Sequence, residues 1–174
     1  MDIEALLKSY RKKPLFAEAD LPVKAGMNQN DICRIIPHRK SFLLLDSITG
    51  FDIKEGLIAC RRHLDPADPV FEGHFPGTPI YPGVLQIEMI GQAGLCLHYF
   101  VTNNRETLAA DAAPVMLRAT KILGALYLEP LLPGMEAVIL GRKLSFDSYF
   151  ATIIGQVIAD GKVCAVAVGE VVFP

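Results

Sequence analysis

The sequence predicts an α+β domain in which an antiparallel sheet surrounds one long helix. A helix of roughly 16 to 20 residues is predicted directly after Pro82-Gly83, and it is apolar on nearly all sides, which is typical of a helix buried almost all round. Segments with strand composition precede and follow that helix. Asp160-Gly161 joins the last two strands and favours a two-residue hairpin turn, because both turn positions need positive φ.

Length and composition bound the class of protein. The chain has 174 residues, of which 51% are hydrophobic, and this predicts one domain with a substantial core and excludes a disordered chain. Its apolar runs are interrupted before the ~20 residues that a membrane span needs, so no span is predicted. The net charge of -2 gives no electrostatic reason to bind nucleic acid.

The cysteines and the first residues predict a reducing, cytoplasmic location. Cys33, Cys60, Cys96 and Cys164 lie far apart without a C-x-x-C pair, which indicates reduced thiols rather than a zinc site or a disulfide framework. Residues Met1–Glu4 lack the basic start and apolar core of a secretory signal.

The N-terminal part of the chain is expected to form an arm, residues 1–29, ahead of the main domain at 30–174. Residues 2–13 predict a short amphipathic helix that Pro14 ends, and the segment from there to about Gly26 is expected to be irregular. Asn30 or Asp31 is expected to cap a brief helix that runs through Ile36.

Strands are predicted on both sides of the long helix, with a polar, mobile loop expected after it at 102–113. Their composition is rich in β-branched and apolar residues between turn signals. The predicted strands are 42–48, 57–64, 115–123, 136–144, 149–159 and 162–173.

The segment Gly73–Gly83 is dense in glycine and proline and contains His74. Such residues can serve simply as turn residues. A histidine held inside a rigid loop that leads straight into an apolar helix is, however, typical of a group that must be aimed at one small volume. We therefore interpret His74 as a candidate acid/base residue.

Glu88 is the second candidate, because it lies among apolar residues in the first turns of the predicted helix. A buried carboxylate costs several kcal/mol unless it is paired, so Glu88 needs a partner, and burial is expected to raise its pKa. Gln92 lies one helical turn further on and can hydrogen-bond the carboxyl group. The alternative interpretation is a buried polar pair that stabilises a dimer or the helix packing.

The backbone at the start of the predicted helix supplies a third component of the candidate site. The amides of Gly83 and Val84 fall among the first N–H groups of the helix, which have no intrahelical acceptor and lie at the positive end of the helix dipole. They can stabilise an oxygen that becomes anionic during a reaction, such as a thioester carbonyl oxygen.

With these residues in view, the chain resembles the 3-hydroxyacyl acyl-carrier-protein dehydratases of fatty-acid synthesis, of the FabZ type and more distantly the FabA type, which have the hot-dog fold. The resemblance covers about Asn30 to Phe173. The matching motifs are Ile35–Arg39, Phe42–Asp46, Phe71–Gly77, Pro79–Leu85, Glu88–Met89, Gln92–Ala93, Pro130 and Pro133–Gly134.

The resemblance implies an activity and a set of roles. It implies removal of water from a (3R)-3-hydroxyacyl thioester on acyl carrier protein to give the trans-2-enoyl thioester, without a metal or organic cofactor. His74 and Glu88 are then the catalytic residues, the Gly83 amide polarises the thioester carbonyl, and the Ile80 carbonyl orients the imidazole. It further implies a homodimer, open to higher assembly, in which each site combines the histidine loop of one subunit with the helix carboxylate of the other.

The chain departs from the family pattern where the carrier protein docks, because Ala125–Pro130 lacks the usual basic residues. This implies a different carrier, as in a specialised lipid, polyene or polyketide pathway. The basic residues left near the inferred entrance are Arg39, Lys40, Arg61, Arg62, Arg118 and Lys121. Two other functions stay open: hydrolysis of the thioester by a hot-dog thioesterase, and non-catalytic binding of acyl chains by a dimer module.

Overall fold

A computed structural model describes residues 1–147 and 149–172, in which seven strands form one antiparallel sheet against a long helix. The strand order is β1-β2-β3-β5-β6-β7-β4. The predicted α+β hot-dog arrangement is confirmed. The strands are β1 (Val23–Asn28), β2 (Ser47–Asp52), β3 (Leu57–His63), β4 (Arg118–Tyr127), β5 (Glu136–Phe146), β6 (Phe150–Ala159) and β7 (Lys162–Val172). The α-helices are α1 (Ile3–Tyr10), α2 (Gln29–Ile32), α3 (Val70–Gly73) and α4 (Gly83–Asn103).

Helix α4 is the central helix, and it begins at Gly83 as predicted. It has 21 residues, ends at Asn103 and is capped by Asn104, whose φ of 49° lies in the left-handed region. Its inner side packs on the sheet, where the Phe100 ring stacks on Phe51 at 4.2 Å between centroids. The expectation that α4 is buried almost all round is wrong, because Val84 is 68% exposed and Ile87 and Gly91 are only partly buried. One face of the helix is therefore open.

The N-terminal segment contributes to the sheet. Helix α1 is shorter than the predicted 2–13 and is capped by Asp2, whose Oδ1 accepts from the Ala5 N–H. The expectation of an irregular segment up to Gly26 is wrong from Val23 onward, because β1 pairs with β2. In β1, partly buried residues alternate with exposed ones, but the strand is short and Gly26 interrupts its pattern. The division between arm and domain at residue 29/30 stays a prediction.

The arm covers the outer face of the sheet and forms a second hydrophobic core there. Leu7, Leu15 and Leu21 pack with residues of β6 and β7 such as Ile154. Gln156 of β6 is fully buried at the centre of this contact. Its side chain accepts from the Leu15 N–H at 2.7 Å and donates to the carbonyl oxygens of Tyr10 and Lys13. The sheet thus has an apolar core on each face.

The first predicted strand, 42–48, is wrong in its position. Residues Lys40–Phe42 form a 3-10 turn and the strand β2 begins only at Ser47. The physical reason is the Gln92 side chain, which bonds the Phe42 carbonyl and the Leu44 N–H. These backbone groups are therefore not available to a neighbouring strand. The predicted strand 57–64 is confirmed as β3.

The short helix before the sheet also differs from its prediction. Helix α2 ends at Ile32 rather than Ile36, and its cap is Asn28, whose Oδ1 accepts from the Asn30 and Asp31 N–H groups.

The last three predicted strands are confirmed as β5, β6 and β7, with Phe173 outside the described residues. The hairpin between β6 and β7 turns at Asp160 and Gly161 with φ of 48° and 72°. Strand β4 lies further along the chain than the predicted 115–123, because the Val115 N–H bonds the Ile35 carbonyl instead of a strand. β4 is an edge strand of the sheet, and Ile122 and Tyr127 are each 53% exposed on it.

Candidate active site

The loop that follows α3 holds His74 by three hydrogen bonds. Its N–H donates to the Val70 carbonyl, its carbonyl accepts from the Ile80 N–H at 2.8 Å, and its ring Nδ1 lies 2.8 Å from the Ile80 carbonyl oxygen. A carbonyl oxygen only accepts, so Nδ1 carries the proton. In the neutral ring, Nε2 is then the unprotonated nitrogen and can take up a proton.

Gly83 lies on the same cavity as His74. The cavity has a volume of about 390 Å³. Its lining residues are His74, Ile80, Tyr81, Gly83, Val84, Gln86, Tyr127, Leu128, Glu129 and Pro130. A Cβ added at Gly83 would lie 2.6 Å from the Tyr127 ring, so the close packing of Tyr127 requires glycine here. As the first residue of α4, Gly83 directs an N–H without an intrahelical acceptor toward this end of the helix. We call His74, Ile80 and Gly83 the histidine half-site.

Glu88 belongs to a different cluster, one turn along α4. Its Oε1 accepts from Gln92 Nε2 at 3.0 Å and lies 3.2 Å from His38 Nε2. Gln92 is fully buried and holds the loop at 42–44 through Phe42 and Leu44. These contacts hold the Glu88 side chain, which is 32% exposed and therefore still reaches solvent. We call Glu88, Gln92 and His38 the carboxylate half-site.

The expectation of a raised pKa for Glu88 is wrong. Burial is the largest single influence and does raise the pKa, but the hydrogen bonds from His38 and Gln92 and the attraction of His38 together outweigh it. The pKa of Glu88 therefore lies below its ordinary value. The sequence allowed for burial and Gln92 but gave no role to His38.

One chain does not bring His74 and Glu88 together. In residues 1–147 and 149–172, no hydrogen bond or ion pair joins them, and Glu88 is not among the residues that line the His74 cavity. The predicted residues thus fall into two half-sites within one chain. His38 and Tyr127 are the contacts that sequence reasoning missed, because both depend on loops and strands distant in sequence.

Two properties of the described residues bear on metal binding and on membrane insertion. The described residues include no group of three or more His, Cys, Asp or Glu side chains placed to hold a metal ion. Helix α4 is the one described helix that is long and apolar enough to cross a membrane, and half of that stretch is buried inside the protein. It is the core helix of the fold.

The FabA-like domain model matches residues 36–168, most of the chain and both half-sites. The chain belongs to the FabA-like family. It is 33% identical over 153 residues to 3-hydroxyacyl-(acyl-carrier-protein) dehydratase FabZ of Chlamydia trachomatis serovar L2, covering 83% of this chain and 95% of the relative. It is 31% identical over 142 residues to the enzyme of the same name from Protochlamydia amoebophila, covering 82% and 86%. The predicted resemblance is confirmed.

Solved structures support the fold. The dehydratase heterocomplex ApeI:P from Xenorhabdus doucetiae is similar with a TM-score of 0.62 at 18% identity, covering 82% of this chain and 90% of that chain. The TT0310 protein from Thermus thermophilus has a TM-score of 0.54 at 18% identity, covering 79% and 100%. At such identities the similarity concerns the fold alone.

Proposed function

We propose that this protein is a hydro-lyase that removes water from (3R)-3-hydroxyacyl thioesters on acyl carrier protein and forms trans-2-enoyl thioesters. The observation that carries the proposal is the histidine half-site. It places a ring whose Nδ1 is held by the Ile80 carbonyl on one cavity with the first amide of α4, in a chain of the FabA-like family.

The chemistry follows from these groups. The bare Nε2 of His74 takes the proton from the carbon next to the thioester carbonyl. The Gly83 N–H hydrogen-bonds the carbonyl oxygen as negative charge develops on it. The electron pair then forms the carbon–carbon double bond, the C3–O bond breaks, and Glu88 gives a proton to the departing hydroxyl, which leaves as water.

We place each complete site across a homodimer, with the histidine half-site of one subunit and Glu88 of its partner. The separation of the half-sites within one chain supports this, and so do the open face of α4 and the apolar edge strand β4. The exposed β4 edge offers unpaired backbone groups to a second copy.

An apolar cavity along α4 suits the acyl chain. It lies between the open face of α4 and the strands β4 to β7, where Ile87, Gly91, Gly94 and Ile153 line it. A side chain at Gly94 would meet Ile153 and narrow it.

The ion pairs reduce the set of basic residues that are available to contact the carrier protein. Of the six basic residues named above, Arg62 pairs with Asp46 and Asp68, Arg61 with Glu18, and Lys121 with Glu170. The Arg39 guanidinium bonds backbone carbonyls. In the described part of the chain, Lys40 and Arg118 are exposed and have no such partner, so we propose that these two contact the acidic carrier protein.

Complementation tests the activity and the shared site together. His74→Ala and Glu88→Gln should each lower dehydration by about 10²- to 10⁴-fold in a folded dimer. A mixed dimer of the two variants should regain one intact site and about half the activity of a wild-type dimer. Losses below tenfold in both variants would refute the roles, and no recovery in the mixed dimer would refute the shared geometry.

Thioester hydrolysis is the second candidate, because an ionised carboxylate can activate water as a general base, and the contacts of Glu88 Oε1 with His38 and Gln92 favour the ionised form. Release of free thiol from a 3-hydroxyacyl carrier substrate would indicate hydrolysis. Formation of the enoyl thioester without release of free thiol would indicate dehydration.

A further inference from the structure

His38 lies in a loop that is fastened in place. It follows Pro37, and the next residue, Arg39, donates from its guanidinium group to the carbonyls of Cys33, Ile36 and His38 itself, at 2.7 to 2.8 Å. The His38 ring also lies parallel to the Phe42 ring at 6.2 Å between centroids. The imidazole therefore has little freedom to turn away from Glu88.

Both partners of Glu88 contact the same oxygen. His38 Nε2 lies 3.2 Å and Gln92 Nε2 3.0 Å from Oε1. Within the described residues, Oε2 has no hydrogen-bond partner. The carboxyl group is thus held through one oxygen while the other is left for a proton and a substrate.

The tautomer of a neutral His38 ring follows from this geometry. Its Nδ1 is buried and has no hydrogen-bond partner in the part of the chain that the structure describes. A carboxylate oxygen only accepts, so the neutral ring must carry its proton on Nε2 to bond Oε1. That tautomer also fits a Glu88 protonated on Oε2, because Oε1 still accepts. The same contact serves before and after Glu88 gives up its proton.

Building on the proposed function, we propose that His38 is a positioning residue for the acid step: its Nε2–H holds Oε1, directs Oε2 toward the substrate hydroxyl, and stabilises the carboxylate that remains when the proton leaves. In this step the proton passes from Oε2 to the hydroxyl as the C3–O bond breaks, and His38 keeps its own proton. Within the described residues, His38 is the one ionisable side chain that lowers the pKa of Glu88, and the Arg39 guanidinium is occupied by backbone carbonyls.

A pair of amide variants separates this role from packing. In His38→Gln the side-chain nitrogen can reach the place of Nε2, whereas in His38→Asn it reaches only the place of Nδ1. His38→Asn should lower kcat by about 10- to 100-fold with KM within about threefold, and His38→Gln should restore most of kcat, because a hydrogen bond to a charged group is worth that factor. His63→Ala is the control, since it removes another His–Glu contact, that of His63 Nδ1 with Glu136, at an exposed site.

A spectroscopic readout needs no substrate. With carboxyl-labelled glutamate, the Glu88 resonance is identified by its loss in Glu88→Gln and titrated by NMR. Its pKa should be higher in His38→Asn than in wild type, because a contact that lowers it is gone. The pKa of Glu88 should stay unchanged in His63→Ala.

Three results would overturn the inference: a wild-type kcat in folded His38→Asn, equal losses in the Gln and Asn variants, or an unchanged Glu88 pKa. Failure of the proposed function has a different signature. Wild-type protein would then form no enoyl thioester, and His38 would have no role in dehydration. The Glu88 titration would still report the contact between His38 and Glu88.

Discussion

A glutamine with 0% exposure lies in the core on each side of the sheet, Gln92 of α4 on one side and Gln156 of β6 on the other, and the two bind different parts of the chain. Gln92 faces the core around α4 and fixes the Glu88 carboxyl group together with the loop at 42–44. Gln156 faces outward and fixes the backbone of the arm at Tyr10, Lys13 and Leu15. The same side chain, with two donors and an acceptor, holds a carboxyl group on one side and attaches a segment of chain on the other.

Replacing each glutamine by alanine should give the largest effects. Gln156→Ala should lower the free energy of unfolding by about 2 to 4 kcal/mol, since three hydrogen bonds of the buried side chain are lost, and leave kcat per folded subunit within about threefold. Gln92→Ala should also destabilise, but should lower kcat about 10- to 100-fold. Urea unfolding and turnover at equal folded concentration measure both. Equal activity losses in the two variants would remove the distinction.

Helix α1 offers a smaller change on the outer face. Leu7 is 6% exposed and packs with Ile154, Val166 and Val168, so Leu7→Ala should cost about 2 to 3 kcal/mol in unfolding free energy. The partly exposed Leu6 is the matched control, and Leu6→Ala should cost less than half as much. If both changes cost the same, the buried face of α1 has been assigned wrongly.

On the α4 side, Gly83→Ala tests the close packing of the Tyr127 ring on the start of the helix. The new Cβ displaces the Tyr127 ring, which lines the His74 cavity, so kcat should fall about tenfold because reacting groups shift by a fraction of an ångström to an ångström. The melting temperature should change by only a few degrees. Adding Tyr127→Leu should recover part of the activity, and no recovery would show that Tyr127 is not the cause.

The smallest effect concerns pH. Because the pKa of Glu88 is lowered in the folded protein, its contribution to stability is present above the unfolded value of about 4.3 and is lost as pH falls through the folded value. Wild type should therefore lose slightly more stability than Glu88→Gln between roughly pH 5 and pH 3. Parallel curves for the two proteins would contradict the lowered pKa.

Sequence predicts what is local and misses what is distant. The start of α4, the turn at Asp160-Gly161 and the spacing of Glu88 and Gln92 follow from residues within one turn of each other. The contact of His38 with Glu88 spans 50 residues of chain, and no periodicity indicates it. It decides the direction of the Glu88 pKa, so that direction could not be predicted.

The same limit explains the misplaced strand at 42–48. Its apolar residues have strand composition, but Gln92 takes its backbone groups. Strand β1 was missed for the opposite reason, since a weak local pattern is stabilised by pairing with β2.

The bonds between Gln156 and the arm set an order of events during synthesis. The Leu15 N–H and the Gln156 side chain are separated by 141 positions in sequence. At ~5 to 20 residues per second, the ribosome delivers the second partner roughly 7 to 28 seconds after the first. Strand β7, against which α1 also packs, emerges later still. The arm is thus made well before the strands on which it packs, and a chain stalled before β6 leaves uncovered the apolar face of α1 that packs on β6 and β7.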